Sequence, residues 1–356
     1  MTNAAIIIGI DNYALDEWKQ DAAVSDALAF ADWSVTKGGG SRDRLSLLLS
    51  PKPGHPQISD GKASLTNAGD SVPFVPATPA AETPGVLESA VYYDETADME
   101  DQLEYYKGVQ PGINPETFYR RLNSLLISTH TNHLSYKPSQ HLYPVGDLQP
   151  EGNILGIYSE NVFSPEELIA LDRITEAALE AAHLELLALG SASDLIDEQL
   201  ERLEAALSFN CEQVVPQSWF AKKPPMKGDL HHLFSCEISC NSFRGNMPFT
   251  SFLDESVLEN CGRAEGNRFE PKGGKGAVSR ATLYFLLRYP GKIDNNTSKY
   301  RKEDMQLLLA WHRSFPVTLY EKHRNREIFL KQGNRNPLID HPEWSTSIDF
   351  AQGLGT

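Results

Sequence analysis

The chain has 356 residues, 40% of them hydrophobic and 22% charged, and carries a net charge of −16. That composition is of an ordinary folded protein with room for two or three domains. No apolar run approaches the ~18 residues of a membrane span, which speaks against a membrane protein.

In chain order, the apolar run Ala4 to Ile10 has no Lys or Arg before it and Asp11-Asn12 directly after it. It reads as a buried strand rather than a secretion signal, and the expectation is a cytoplasmic protein. Ala23, Leu28, Phe30 and Trp33 then recur at helical spacing up to Gly38-Gly39-Gly40, and "RLSLLLS" is a second strand stopped by Pro51. A strand, helix and strand over residues 1–51 is how a parallel α/β sheet begins. Residues 52–102 read as a linker, first rich in Pro, Gly, Ser and Thr and then acidic ("DETADMEDQLE"), the acidic run being a solvated helix start.

From there the pattern is globular again. "PETFYRRLNSLLISTH" predicts a helix and "NILGIYS" a strand. Ser164 is a helix N-cap with Pro165 in the first turn, and Gly190 is a stop. A second helix restarts after it, giving an acidic helical hairpin over residues 164–208 that serves as a surface packing element or a partner-binding arm.

Charge divides the chain unevenly. Residues 1–110 and 111–210 each carry −10, whereas residues 211–356 carry +4. A basic C-terminal part can neutralise phosphates that an acidic surface would repel, the alternative reading of the charge being simple solubility. In it, strand "CEQVVP", strand "DLHHLFSCE" and a helix through "CNSFRGN" predict a ββα unit, so the fold class is α+β. Such a unit can set one Mg²⁺ between a strand carboxylate and a helix side-chain oxygen, since magnesium takes hard oxygen ligands and keeps several waters.

Four segments, "NCEQVVPQSWF", "KGDLHHLFSCEISCNSFRGNMPF", "NRFEPKGGKGAVSRATLYFLLRYPG" and "WHRSFPVTLYEKHRNREIFLKQGNRNPLIDHPEW", follow one another in order. Together they resemble the endonuclease I family of non-specific bacterial nucleases over about residues 103–350, with the helical hairpin as the main departure. The resemblance implies a ββα-metal nuclease acting on DNA, with RNA as a second substrate. It also implies that Glu212 and Asn241 hold a catalytic Mg²⁺ or Mn²⁺. The family's water-activating base is a histidine directly after that glutamate, and this chain has Gln213 there. An amide has no titratable nitrogen, so the expectation is an enzyme scaffold with its base replaced, by deliberate substitution or naturally. The alternative is a catalytically silent nucleic-acid-binding or adaptor protein.

Other residues carry two readings each. His231 matches a family histidine and is catalytic or a structural hydrogen-bonding group; His231 and His232 alternate on the expected strand, so only one can face the site. Arg244 and Arg280 hold phosphate bidentately or form structural salt bridges. Lys222, Lys223 and Lys227 add non-specific phosphate attraction. All four cysteines, Cys211, Cys236, Cys240 and Cys261, lie in this region, and Cys236-x₃-Cys240 falls in metal-ligand spacing. With disulfides disfavoured in a cytoplasm, they predict a structural Zn²⁺, four reduced thiols being the alternative.

Residues 1–51 resemble the start of a bacterial caspase-like fold, without that family's later Gly-His-Gly segment or its nucleophilic cysteine. The resemblance implies a docking module for a protease or sensor protein. With the acidic front half it suggests a regulated cytoplasmic effector of a defence pathway, released by cleavage in residues 52–100 or in the acidic hairpin.

Overall fold

Helix "KGAVSRATLYFLLR" has apolar or small residues on every side, and such a helix has to be buried all round. A computed structural model of the chain describes residues 5–10, 45–50 and 92–356 apart from 113, 189, 191–194, 197–198, 201–202, 204–209, 253–257 and 259. It falls into two units, Met1–Ser89 and Ala90–Thr356.

In the first unit, β1 (Ala5–Ile10) and β2 (Leu45–Ser50) pair in parallel, Ala5 opposite Leu45 and Ile10 opposite Ser50. The expected helix between them and the linker at 52–88 lie outside the described residues.

The second unit begins with α1 (Glu95–Tyr105), capped by the Asp94 side chain on the Ala97 N–H. This is the acidic run that the sequence placed in the linker, and it is packed rather than merely solvated. Its Asp98 is buried and paired with Arg335 at 2.7 Å. Next comes α2 (Pro115–Thr129), with Asn114 as N-cap and Pro115 in the first turn. A two-residue hairpin follows, β3 (Ile154–Leu155) against β4 (Val162–Phe163). Then α3 (Pro165–Ala188) starts at the predicted Pro165, with Gly190 in the left-handed region (φ 66°) beyond its end. Of the second arm of the hairpin, only residues 195–196, 199–200 and 203 are described.

The ββα unit consists of β5 (Cys211–Gln213), β6 (Leu233–Ser235) and α4 (Ile238–Arg244). The antiparallel pair β7 (Gly262–Glu265) and β8 (Arg268–Pro271) leads into α5 (Lys275–Arg288), which is buried along nearly its whole length. It is the centre of the core. Tyr119 and Asn123 of α2 donate to its Leu286 and Leu287 carbonyls, and Phe249, Phe269, Trp311 and Trp344 belong to the same apolar cluster. The chain closes through α6 (Met305–Ser314) and α7 (Leu319–Gln332). Thr318 and Glu321 form a capping box at the start of α7, each satisfying a backbone N–H of the other. No helix among the described residues is long and apolar enough to cross a membrane.

Candidate active site

Three-residue strands position the site. Across β5 and β6, Cys211 faces Ser235, Glu212 faces Phe234 and Gln213 faces Leu233. β6 is held from outside the hairpin: the Asp147 carboxylate accepts the Ser235 N–H at 2.7 Å, and Arg324 bridges Asp147 (2.8 Å) to the Leu230 carbonyl (2.7 Å). α4 then turns back over β5. The Asn241 amide nitrogen donates to the Cys211 carbonyl at 2.9 Å, tying the helix to the residue just before Glu212. The atom of that side chain able to ligate a cation is its other terminus, Oδ1.

Glu212 is 1% exposed. Its Oε1 accepts from Arg244 Nη1 at 2.9 Å and from the Tyr158 hydroxyl at 3.0 Å, whereas the buried Oε2 has no hydrogen-bond partner. Burial pushes its carboxyl up to about 7, with Arg244 and Tyr158 pulling the other way. A buried carboxylate oxygen without a donor is costly unless a proton or cation meets it. The unpartnered Glu212 Oε2 and the Asn241 Oδ1 are hard oxygens, so the donor types present fit a divalent cation. Among the described residues, no three His, Cys, Asp or Glu side chains come together as a metal-holding group.

Gln213 is buried beside it. Its Nε2 donates to the Lys227 carbonyl at 3.0 Å, and its buried Oε1 has no partner. The loop from Gln213 to Lys227 thus closes on itself, and Lys222, Lys223 and Lys227 all lie on it. Lys223 is exposed, and the Lys227 ammonium lies 5.7 Å from the centre of the Tyr136 ring.

The two histidines do not sit on a strand as expected. The Asp229 carboxylate accepts the His231 N–H at 3.1 Å and starts a 3₁₀ turn, Leu230–His232, so β6 begins only at Leu233. Both rings are buried, His231 Nε2 on the Asn334 carbonyl (3.1 Å) and His232 Nε2 on the Met226 carbonyl (2.7 Å). Burial drives the His231 imidazole down to about 3 against the pull of Asp229, and lowers His232 too. Burial would raise Asp229 itself. The facing histidines His130, His231 and His232 and the Gln332 donor outweigh it and hold the carboxyl well below the usual range. Tyr284 and Tyr289 also donate to it. His231 is part of a buried network, which is the structural one of its two readings.

The arginines likewise point inward. Arg244, 1% exposed, also reaches the Gln213 and Val214 carbonyls at 3.3 and 2.8 Å. Arg280 holds both oxygens of Glu321 at 2.7 and 2.8 Å and the Phe315 carbonyl at 2.9 Å, completing the cap of α7. Both are structural ion pairs here, and the phosphate-holding expectation does not describe these geometries.

The cysteines depart from a four-thiolate zinc site. Cys240 and Cys261 form a disulfide, with Cα atoms 5.3 Å apart, while Cys211 and Cys236 are free and buried. A disulfide sulfur carries no thiolate charge to give a metal, so two of the four expected ligands are spent. The bond instead anchors α4, one residue before Asn241, beside β7.

Tyr158 is the residue that sequence reasoning missed. Its only signal is a place in the short "NILGIYS" motif, 54 residues from the glutamate it touches.

The family model for endonuclease I matches residues 116–343, more than half of the chain. An extracellular ribonuclease of Bacillus subtilis (strain 168) is 36% identical over 133 residues, covering 34% of this chain and 46% of the relative. In Aeromonas hydrophila, an extracellular deoxyribonuclease is 32% identical over 121 residues (32% of this chain, 50% of the relative). A periplasmic deoxyribonuclease of the same organism is 31% identical over 121 residues (32% and 48%). The chain spans about half the length of the curated relatives it matches. Their extracellular and periplasmic locations overturn the expectation of a cytoplasmic chain, and with it the reason for excluding a disulfide. By the family match over these residues, the chain belongs to the endonuclease I family.

Proposed function

We propose that the chain is a divalent-metal-dependent endonuclease that hydrolyses phosphodiester bonds of DNA and RNA, slowly, because Gln213 stands where a base is needed. One observation carries the reading: the buried, partnerless Oε2 of Glu212, on a strand tied through Cys211 to Asn241. Those two side chains would hold Mg²⁺ or Mn²⁺. When bound, the ion neutralises the scissile phosphate and stabilises the leaving oxygen.

The protein's own residues do the rest. Arg244 and Tyr158 hold Glu212 in place through Oε1. Lys223 and its loop neighbours attract phosphate without reading bases. The Gln213 Oε1 can accept a hydrogen bond from water and orient it but cannot take its proton. Loss of a general base costs a factor of about 10²–10⁴ in rate. The substrate class is supported by the relatives, one named a ribonuclease and others deoxyribonucleases.

A second reading is a nucleic-acid-binding protein with no hydrolysis. It is favoured by the tether of Gln213 to the Lys227 carbonyl, which fixes a neutral amide at the residue after Glu212. For residues 1–51, the parallel pairing of β1 and β2 supports an α/β start and does not bear on a docking role. A regulated defence effector presupposed a cytoplasmic enzyme, a premise the relatives' locations remove.

The test is prolonged incubation of plasmid DNA and of a long RNA with Mg²⁺ or Mn²⁺, using the native chain and Glu212→Gln. Slow cleavage by the native chain alone, stopped by EDTA, supports the enzyme. Binding without cleavage at any metal concentration favours the second reading.

A further inference from the structure

We propose that Tyr158 is a positioning residue for Glu212: its phenol and the Arg244 guanidinium both engage Oε1, which leaves Oε2 as the oxygen for the cation. The proposal rests on the two-ligand site described above.

Three features single out this tyrosine. It is fully buried, and its hydroxyl donates to Glu212 Oε1 at 3.0 Å, on the same atom that Arg244 reaches at 2.9 Å. Two donors on one oxygen fix the carboxylate plane and its rotamer, and the other oxygen receives none. The tyrosine is also held independently of the glutamate. The Ile157 N–H bonds the Ser235 carbonyl of β6 at 2.9 Å, and the Gly273 N–H bonds the Tyr158 carbonyl at 2.8 Å. Between them the chain makes a tight turn in which Glu160 N–H bonds the Gly156 carbonyl, with Glu160 at φ 62°. Ser159 donates to the Glu237 carboxylate at the start of α4. One turn thus touches β6, α4 and the approach to α5, and presents a single hydroxyl to Glu212. Its ring packs edge-on against Phe269, with centroids 5.0 Å apart, so the phenol has little freedom to leave.

Groups that orient a metal ligand are worth about 10–100-fold in metal affinity when removed. Tyr158→Phe keeps the ring in its packing and removes only the donor. Mn²⁺ alone is the probe, followed by electron paramagnetic resonance on the full chain with no substrate present. The expected result is Mn²⁺ binding by the native chain, weakened about 10–100-fold in Tyr158→Phe. Tyr119→Phe, which loses a buried hydroxyl bond between α2 and the Leu286 carbonyl of α5 and touches no residue of the site, should bind as the native chain does. That control separates positioning from a general loosening of the fold. Ser159→Ala, which removes one of the two bonds from this turn to Glu237 while the Asn161 amide keeps the other at 2.8 Å, should weaken binding in the same direction and serves if Tyr158→Phe does not fold.

Native affinity in Tyr158→Phe would overturn the proposal and leave the cation site standing. Native affinity in Glu212→Gln, or no Mn²⁺ binding by the native chain, would overturn the site itself and the proposal with it.

Discussion

Glu212 and Arg244 form an ion pair of 2.9 Å with both side chains 1% exposed, across 32 residues of sequence. The same guanidinium takes the carbonyls of Gln213 and Val214, so one cation holds the site carboxylate and the end of its strand together. A buried pair of this kind adds little net stability over apolar packing, but removing one partner strands the other's charge.

Arg244→Met should therefore destabilise the chain by about 3–5 kcal/mol. Arg244→Lys should recover little of this, because an ammonium cannot span three acceptors in a fixed plane. Urea unfolding checks both. A native-like midpoint for Arg244→Met would mean that the pair is not formed.

Acid should unfold the protein partly through His231. Its folded value, about 3, lies below the unfolded value near 6.5. As pH falls through that window the unfolded chain takes up a proton that the folded chain does not, so stability falls. The slope is up to about 1.4 kcal/mol per pH unit. Asp229, held low, acts in the same direction below the ordinary carboxylate range. Glu212 and Asp172, pushed up to about 7 and 6, work the other way, so the informative quantity is a difference. Between pH 6.5 and 4.5 the native chain should lose more stability than His231→Gln. Parallel curves for the two would show that His231 is not the group.

The order of elements around the site was legible, and the chemistry of its side chains much less so. The start of α3 at Pro165 follows from local capping signals, which the chain carries within a few residues. The Leu230–His232 turn was not, because Asp229 captures a backbone N–H and ends the alternation before β6. Arg244 and Arg280 stayed open between phosphate ligands and salt bridges because their carboxylates lie 32 and 41 residues away. The cysteines were read from the Cys236-x₃-Cys240 spacing together with an assumed reducing compartment, and the Cys240–Cys261 pairing joins two cysteines 21 residues apart, which neither cue indicates.

Thiol counting tests that last correction. Of four cysteines two are bonded, so the denatured, unreduced protein should react with two equivalents of a thiol reagent, and the reduced protein with four. Cys261→Ser should cost about 2–4 kcal/mol of stability. Four reactive thiols before reduction, with zinc in the protein, would restore the metal reading.

Lys223 is exposed on the loop that closes over Gln213. If it meets phosphate, Lys223→Ala should lower the slope of log affinity against log salt by about 0.9 for duplex DNA, equally for unrelated sequences. An unchanged slope would place the nucleic acid elsewhere.

The decisive measurement is cleavage of plasmid DNA by Gln213→His in Mg²⁺ or Mn²⁺, beside the native chain and the double variant Gln213→His, Glu212→Ala. An imidazole next to Glu212 supplies the missing base, so the single variant should cut about 10²–10⁴-fold faster than the native chain. The double variant should fall to background, because the cation loses its carboxylate. A folded Gln213→His chain that cuts no faster than the native one, or a double variant that still cuts, would contradict a metal-dependent nuclease site built on Glu212.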